Sequence, residues 1–218
     1  MARLKVAVLI SGRGSNLKAL IDACAAADFP AELACVISNR PGAAGLDFAR
    51  AADIPVAVID HRAFAGREDF EAALDEAIRG AGAGLICFAG FMRLVTDGFA
   101  RAWRDRLINI HPSLLPAFRG LNTHARAIES GVRFSGCTVH FVRTEMDIGP
   151  IIAQAAVPVH ADDDADALAA RVLVTEHRLY PLALRLIAEG RARVIGDVVH
   201  IDGARPPEAV LLNPVDDT

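Results

Sequence analysis

The segment Leu4–Ile10, LKVAVLI, is a nearly continuous run of β-branched and aliphatic residues that passes directly into Ser11-Gly12-Arg13-Gly14-Ser15-Asn16. A run of this kind predicts a strand covered on both faces, the situation of a central strand in a parallel sheet. Parallel neighbours need a crossover, so a helix is expected straight after the glycines. Ser15 or Asn16 can cap it, and Leu17, Leu20, Ile21 and Cys24 recur at helical spacing along one face.

The alternation then repeats. Ala31–Ser38 reads as a second strand, residues 42–52 as a helix and 56–60 as a third strand. The next helix carries Phe70, Ala73, Leu74, Ala77 and Ile78 on one stripe, with Glu68, Asp69, Glu71, Asp75 and Glu76 off it, and Gly80 ends it. Residues 84–89 form another buried strand, 97–103 a short helix and 106–110 a return to the sheet. Strand, helix and strand in this order predict a doubly wound α/β fold with a mostly parallel sheet. Beyond residue 130 the pattern changes. FSGCTVHFV and PIIAQAAVPV flank the loop TEMDIG and read as an antiparallel pair. A long helix is expected to start at 162–164 and run to about 188, with Leu168, Val172, His177, Tyr180, Leu184 and Ile187 facing the core. VIGDVVHIDG reads as a small hairpin, and a Pro-containing tail follows.

Composition narrows the function classes. The chain has 218 residues, 53% of them hydrophobic and 23% charged, which permits a sizeable core and excludes a disordered polymer. The net charge of −4 gives no general basis for nucleic-acid or membrane binding. No apolar run approaches the roughly 20 residues of a membrane span. The first ten residues enter the Gly-rich turn without a cleavage site, so a cytoplasmic protein is expected. Cys24, Cys35, Cys87 and Cys137 lie far apart without a C-x-x-C pair, and buried free thiols are expected rather than disulfides or a zinc site.

Three loops fall where strand carboxyl ends should lie, the ligand-binding edge of an open α/β sheet. In SGRGSN the glycines let backbone N–H groups approach an anion at a helix N-terminus, which suits a phosphate. The loop lacks the Gly-Lys-Ser/Thr of a Walker A motif, and Leu17 stands where a dinucleotide fingerprint has its third glycine. A tight turn without a ligand is the competing reading. In NIHPSLLP, Asn109 and His111 are two apart and point the same way from an extended chain. An amide donor beside an imidazole suits a carbonyl that develops negative charge, although a lone N-x-H is more often a cap or turn. Asp147, in the acidic loop TEMDIG, would orient His111 and favour its protonated form if the fold brought the two together. The bland alternative is a solvated turn.

Together these motifs carry a resemblance. SGRGSN after the first strand, AGFMRLV near residue 90, NIHPSLLP at 109–116, GCTVHFV and the run D-x-GPII-x-QA-x-VPV resemble the phosphoribosylglycinamide formyltransferase family of purine synthesis, over residues 4 to 190. The resemblance implies a Rossmann-like fold and formyl transfer from 10-formyltetrahydrofolate, as co-substrate, to the amine of glycinamide ribonucleotide. It implies Asn109, His111 and Asp147 as catalytic residues. Gly14, Ser15, Asn16 and Glu176 would bind the ribonucleotide, and Arg67, Met92, Arg93, Leu94, Val95 and Asn109 the folate. No metal and no nucleotide cofactor are required, and the partners are small molecules, with no nucleic acid or membrane and a monomer or homodimer as the assembly. One domain is expected over 1–218, with a phosphate-binding half at 1–105, a folate and catalytic half at 106–200 and a tail at 201–218.

Many relatives have a histidine where this chain has Asn122, which cannot titrate, so Asn122 is given no catalytic part. His124 is expected near the start of a helix, His140 to pack or make one hydrogen bond, and His61, His160 and His200 to lie at the surface or in turns. Methionyl-tRNA formyltransferase and formyltetrahydrofolate hydrolase share the NIHPSLLP-like core, but each carries a further domain for which 218 residues are expected to leave no room. A non-catalytic phosphosugar or folate binder on the same fold is the alternative of a different class.

Overall fold

The computed structural model describes residues 2–205 and 208–214. A seven-stranded sheet forms its centre: β1 (Leu4–Ile10), β2 (Ala31–Ser38), β3 (Val56–Val58), β4 (Leu85–Phe88), β5 (Leu107–His111), β6 (Phe134–Phe141) and β7 (Ile151–Pro158). Their order across the sheet is β3-β2-β1-β4-β5-β6-β7. The first five are mutually parallel, while β6 runs antiparallel to both β5 and β7. Both halves of the predicted topology are therefore present, parallel then antiparallel. A separate hairpin, β8 (Ala192–Ile195) with β9 (Val198–Ile201), follows the last helix.

Helices cover both faces because the central strands are apolar on both sides. On one face α1 (Ser15–Cys24), α2 (Gly45–Ala51), α5 (Thr123–Glu129) and α6 (Ala165–Ala188) pack on residues such as Val8, Ile10, Cys87 and Ile108. On the other, α3 (Arg67–Gly80) and α4 (Asp97–Ala102) pack Phe70, Leu74, Ile78 and Phe99 against Leu9, Ile37 and Ile86. All four cysteines are free and buried. Burial pushes the thiols of Cys24 and Cys35 up to about 11 and that of Cys137 to about 12, so they are inert packing groups. No described helix is long and apolar enough to cross a membrane.

Several elements differ from the sequence expectation. Neither Ser15 nor Asn16 caps α1: the helix starts at Ser15 behind Gly14, and no side chain bonds its first turn. The third strand ends at Val58, because Asp60 accepts the Arg62 N–H and starts a 3-10 turn at His61–Ala63. The second helix begins at Gly45 rather than 42, and β5 extends one residue further to include His111. Glu71, assigned to the exposed side of α3, is buried and accepts both the backbone N–H and the hydroxyl of Thr96. The pair fixes the segment that leads into α4. On α6, Leu168, Val172, Tyr180 and Leu184 are buried as expected and Ile187 packs against the same core, while His177 is only half-buried.

Gly14 decides how the first two crossovers meet. Its φ is +76°, and a Cβ there would lie 2.5 Å from the Gly45 Cα. The start of α1 thus touches the start of α2, and Gly45 N–H donates to the Gly12 carbonyl at 3.0 Å. Gly14→Ala is expected to lower the unfolding free energy by about 2 kcal/mol or more, since left-handed geometry alone costs roughly 1–2 kcal/mol. Gly42→Ala, with open space around its Cβ, is the matched control. Urea midpoints compare the two, and the Gly14 variant should fall well below it.

Candidate active site

The switch from parallel to antiparallel pairing builds one side of the site. Asn109 and His111 leave the end of β5 in the same direction, and their partners on β6 are His140 and Thr138. Thr138 is fully buried and saturated: its hydroxyl donates to the Ser113 carbonyl at 2.7 Å and accepts from Leu115 N–H and Gln154 Nε2, each at 3.0 Å. Gln154 also donates to the Leu115 carbonyl at 2.9 Å. The turn after His111 is thereby fastened to two neighbouring strands. Neither Thr138 nor Gln154 was singled out in the sequence, although the two-residue alternation of Thr138 and His140 was a signal that could have found them.

His111 is buried, with Nε2 3.0 Å from the Phe118 carbonyl and Nδ1 3.4 Å from Asp147 Oδ2. Both ring nitrogens face oxygen atoms. The same Asp147 oxygen accepts the Gly120 N–H at 2.8 Å. Asp147 itself has a left-handed backbone at φ 54°. The return of its loop depends on Gly149, where a Cβ would lie 1.9 Å from the Phe141 carbonyl oxygen. Asn109, His111 and Asp147 therefore come together, which spacing alone could not show.

His140 is 1% exposed, and burial holds its imidazole below the usual range. The neutral ring donates from Nδ1 to the Phe141 carbonyl at 3.1 Å, leaving Nε2 as an acceptor 3.5 Å from the Asn109 amide nitrogen. It makes contact with the candidate centre without a free proton to transfer. His124, the second residue of α5, is half-buried; burial first and His111 second lower its pKa, and its Nδ1 has no partner among the described residues. Asn122 has φ 57° and precedes α5 without a side-chain capping bond.

The glycine loop approaches from β1. Asn16 donates its amide to Glu176 Oε2 at 2.7 Å, which ties the start of α1 to α6. Burial pushes the Glu176 carboxyl upward despite that hydrogen bond. With no side-chain cap, the first N–H groups of α1 remain available to an anion beside Glu176. Gly14, Ser15, Asn16 and Glu176 are thus brought together.

The remaining predicted positions divide into two groups. Met92 and Leu94 are 59% and 60% exposed, apolar side chains standing in solvent beside buried Phe88 and Phe91. Exposed apolar side chains of this size mark a candidate contact surface. Met92 N–H donates to Ser11 Oγ at 2.8 Å, and Ser11 donates to Asn39 Oδ1 at 2.6 Å, so this wall is tied to the glycine loop. Arg67 and Arg93 lie together in a cleft of about 280 Å³ with His61, Phe64 and Phe70. His61, expected at the surface or in a turn, opens the 3-10 turn His61–Ala63, is half-buried and bonds through Nδ1 with Asn39. No local motif marked it. Among the described residues no group of three or more His, Cys, Asp or Glu is placed to hold a metal ion.

The chain is similar to known proteins over most of its length. The chain is 42% identical over 209 residues to the phosphoribosylglycinamide formyltransferase of Haemophilus influenzae, covering 96% of this chain and 99% of that protein. It is 47% identical over 192 residues to the trifunctional purine biosynthetic protein adenosine-3 of Gallus gallus, covering 88% of this chain but only 19% of that protein. The chain thus spans about a fifth of the length of the trifunctional relative. The crystal structure of glycinamide ribonucleotide transformylase 1 from Symbiobacterium toebii superposes with a TM-score of 0.89 at 48% identity, over 91% of this chain and 94% of that one. Residues 4–184 match the formyl transferase family, and the chain belongs to that family.

Proposed function

We propose that this protein is a phosphoribosylglycinamide formyltransferase, moving the formyl group of 10-formyltetrahydrofolate to the amine of glycinamide ribonucleotide. The observation that carries the reading is the convergence of Asn109, His111 and Asp147, with His111 Nδ1 3.4 Å from Asp147 Oδ2. The full-length likeness to the Haemophilus influenzae enzyme supports the same reaction. The folding unit is taken as a single domain over 1–218, residues 1–105 serving the phosphate and 106–200 the folate and the chemistry.

The ribose phosphate sits on the N–H groups of Gly14, Ser15 and Asn16, with Glu176 beside the ribose. Met92, Leu94 and Val95 form the apolar wall for the pterin, and Arg67 and Arg93 meet the carboxylates of the folate tail. Attack by the substrate amine forms a C–N bond and turns the formyl oxygen into an oxyanion. The Asn109 amide, anchored on neutral His140, donates to that oxygen. Collapse breaks the bond from the formyl carbon to folate N10, and the amine's surplus proton reaches N10 through His111. Asp147 orients the ring and balances its charge through the transfer. The formyl group arrives activated, so positioning, oxyanion stabilisation and one proton relay account for the reaction.

The decisive assay measures formyl transfer from 10-formyltetrahydrofolate to glycinamide ribonucleotide, with water alone as the control acceptor. Transfer to the amine is expected; release of formate without it identifies a hydrolase, and neither product identifies a binder. Asn109→Ala and His111→Ala should each lower kcat by about a hundredfold or more while ribonucleotide affinity changes little. Unchanged turnover in both variants rejects the assignment.

Glu176 generates a pH prediction. Its carboxyl is held above the ordinary range, so on acidification it becomes protonated before an exposed glutamate would. The KM for the ribonucleotide should therefore rise as the pH falls, beginning at a higher pH than an exposed carboxylate would give. Glu176→Gln should flatten this acid-side rise, and a persistent rise in that variant assigns the titration elsewhere.

A further inference from the structure

Ser11, which separates β1 from the glycine loop, makes three hydrogen bonds to the chain beyond two other strands. Its backbone N–H donates to the Gly90 carbonyl at 3.1 Å, and its hydroxyl oxygen accepts the Met92 N–H at 2.8 Å. The hydroxyl proton goes to Asn39 Oδ1 at 2.6 Å. Ser11 and Asn39 are 4% and 1% exposed, so water does not replace a bond lost between them. The Asn39 amide continues to His61, whose Nδ1 lies 3.1 Å from Asn39 Nδ2. His61 in turn lines both the cleft of Arg67 and Arg93 and a larger depression of about 630 Å³ edged by Arg13 and Arg40.

The segment that Ser11 grips is irregular. Residues 91–96 form neither helix nor strand, so no ladder of backbone bonds fixes their position. Phe91 is buried against Phe88, with ring centroids 4.9 Å apart, while Met92 and Leu94 stand in solvent. Beyond them buried Glu71 holds Thr96. The wall proposed for the pterin is therefore stretched between two buried polar anchors, Ser11 at one end and Glu71 at the other. On its other side Ser11 runs straight into Gly12, Arg13 and Gly14, the start of the loop proposed for the phosphate. A displacement of Ser11 moves loop and wall together.

We propose that Ser11 is a positioning residue shared by the two substrates: seating the ribose phosphate on the glycine loop and laying the pterin on the wall favour one another through its hydroxyl. Either ligand immobilises one side of the Ser11 clasp, and the other ligand then meets a surface already in place. The effect is mutual, because the factor by which the ribonucleotide tightens folate binding equals the factor by which folate tightens the ribonucleotide. Asn39 acts through Ser11, turning the hydroxyl so that a lone pair faces the Met92 N–H. This inference rests on the formyltransferase reading, which supplies both ligands.

The test is calorimetric and uses tetrahydrofolate, which has no formyl group to transfer, with and without saturating glycinamide ribonucleotide. In the unaltered protein the ribonucleotide should lower the Kd of tetrahydrofolate about fivefold, the scale of one buried hydrogen bond. In Ser11→Ala that factor should fall to about one, with the folate KM raised about fivefold and kcat lowered by less than about twofold. A merely structural loss would weaken both ligands and leave the factor intact. Asn39→Ala should reduce the factor as well, and Ser11→Ala/Asn39→Ala should be no worse than Ser11→Ala alone. Urea midpoints identify which variants are folded, and Asn39→Ala decides the matter if Ser11→Ala is not. A factor of one or below in the unaltered protein overturns the proposal, as do an unreduced factor in a folded variant and additive losses in the double variant. Absence of formyl transfer while the coupling persists overturns the function and not the clasp.

Discussion

The buried hydroxyl of Thr138 is the interaction on which the arrangement of the candidate centre depends. Placed opposite His111 on the antiparallel strand β6, it holds the Ser113 carbonyl, the Leu115 N–H and the Gln154 amide at once. A buried polar group with every bond satisfied rigidifies its surroundings, whereas the same group left unpaired would be costly. The turn that follows β5 is therefore held at both ends, by the sheet before His111 and by Thr138 after it. Asn109 and His111 are presented from a rigid strand end rather than from a free loop.

Polar contacts around this frame are graded by burial. His140 is kept neutral by its surroundings and can serve Asn109 only as an acceptor. His111 has a carbonyl on one side and a carboxylate on the other. Two histidines close to one strand end thus meet different partners, set by what the fold brings to each nitrogen. The same logic separates the charged residues. Asp147 and Glu176 are drawn into the fold and bonded, while Arg13, Arg40 and Arg67 stay exposed at the rim without a carboxylate partner among the described residues. Carboxylates are held inside the candidate centre, and guanidiniums stand at its rim.

Much of the fold was legible because its signals are local and strong. The apolar runs of β1, β2 and β4 have no stable place except inside a parallel sheet, and the change of pattern after residue 130 announces the antiparallel pair. Differences fell at element ends, at one buried acid and at His177 of α6. Glu71 lies among charged neighbours and reads as solvated, yet the approach of Thr96 from a distant segment supplies the donors that allow its burial. His61 escaped notice for the same reason, since its partner Asn39 belongs to a different loop.

By itself the sequence determined the alternation of strands and helices, the glycine nest before α1 and the paired projection of Asn109 and His111. These follow from residue periodicity and from the backbone freedom of glycine, which are properties of neighbouring residues. Only the tertiary structure decided that Asp147 reaches His111, that Glu176 meets Asn16 across 160 positions, and that His61 joins two arginine-lined cavities. Those outcomes depend on sheet order and on which loops share an edge. No local pattern contains that information, because the cost of burying a polar group is offset by partners that the chain brings in from far away.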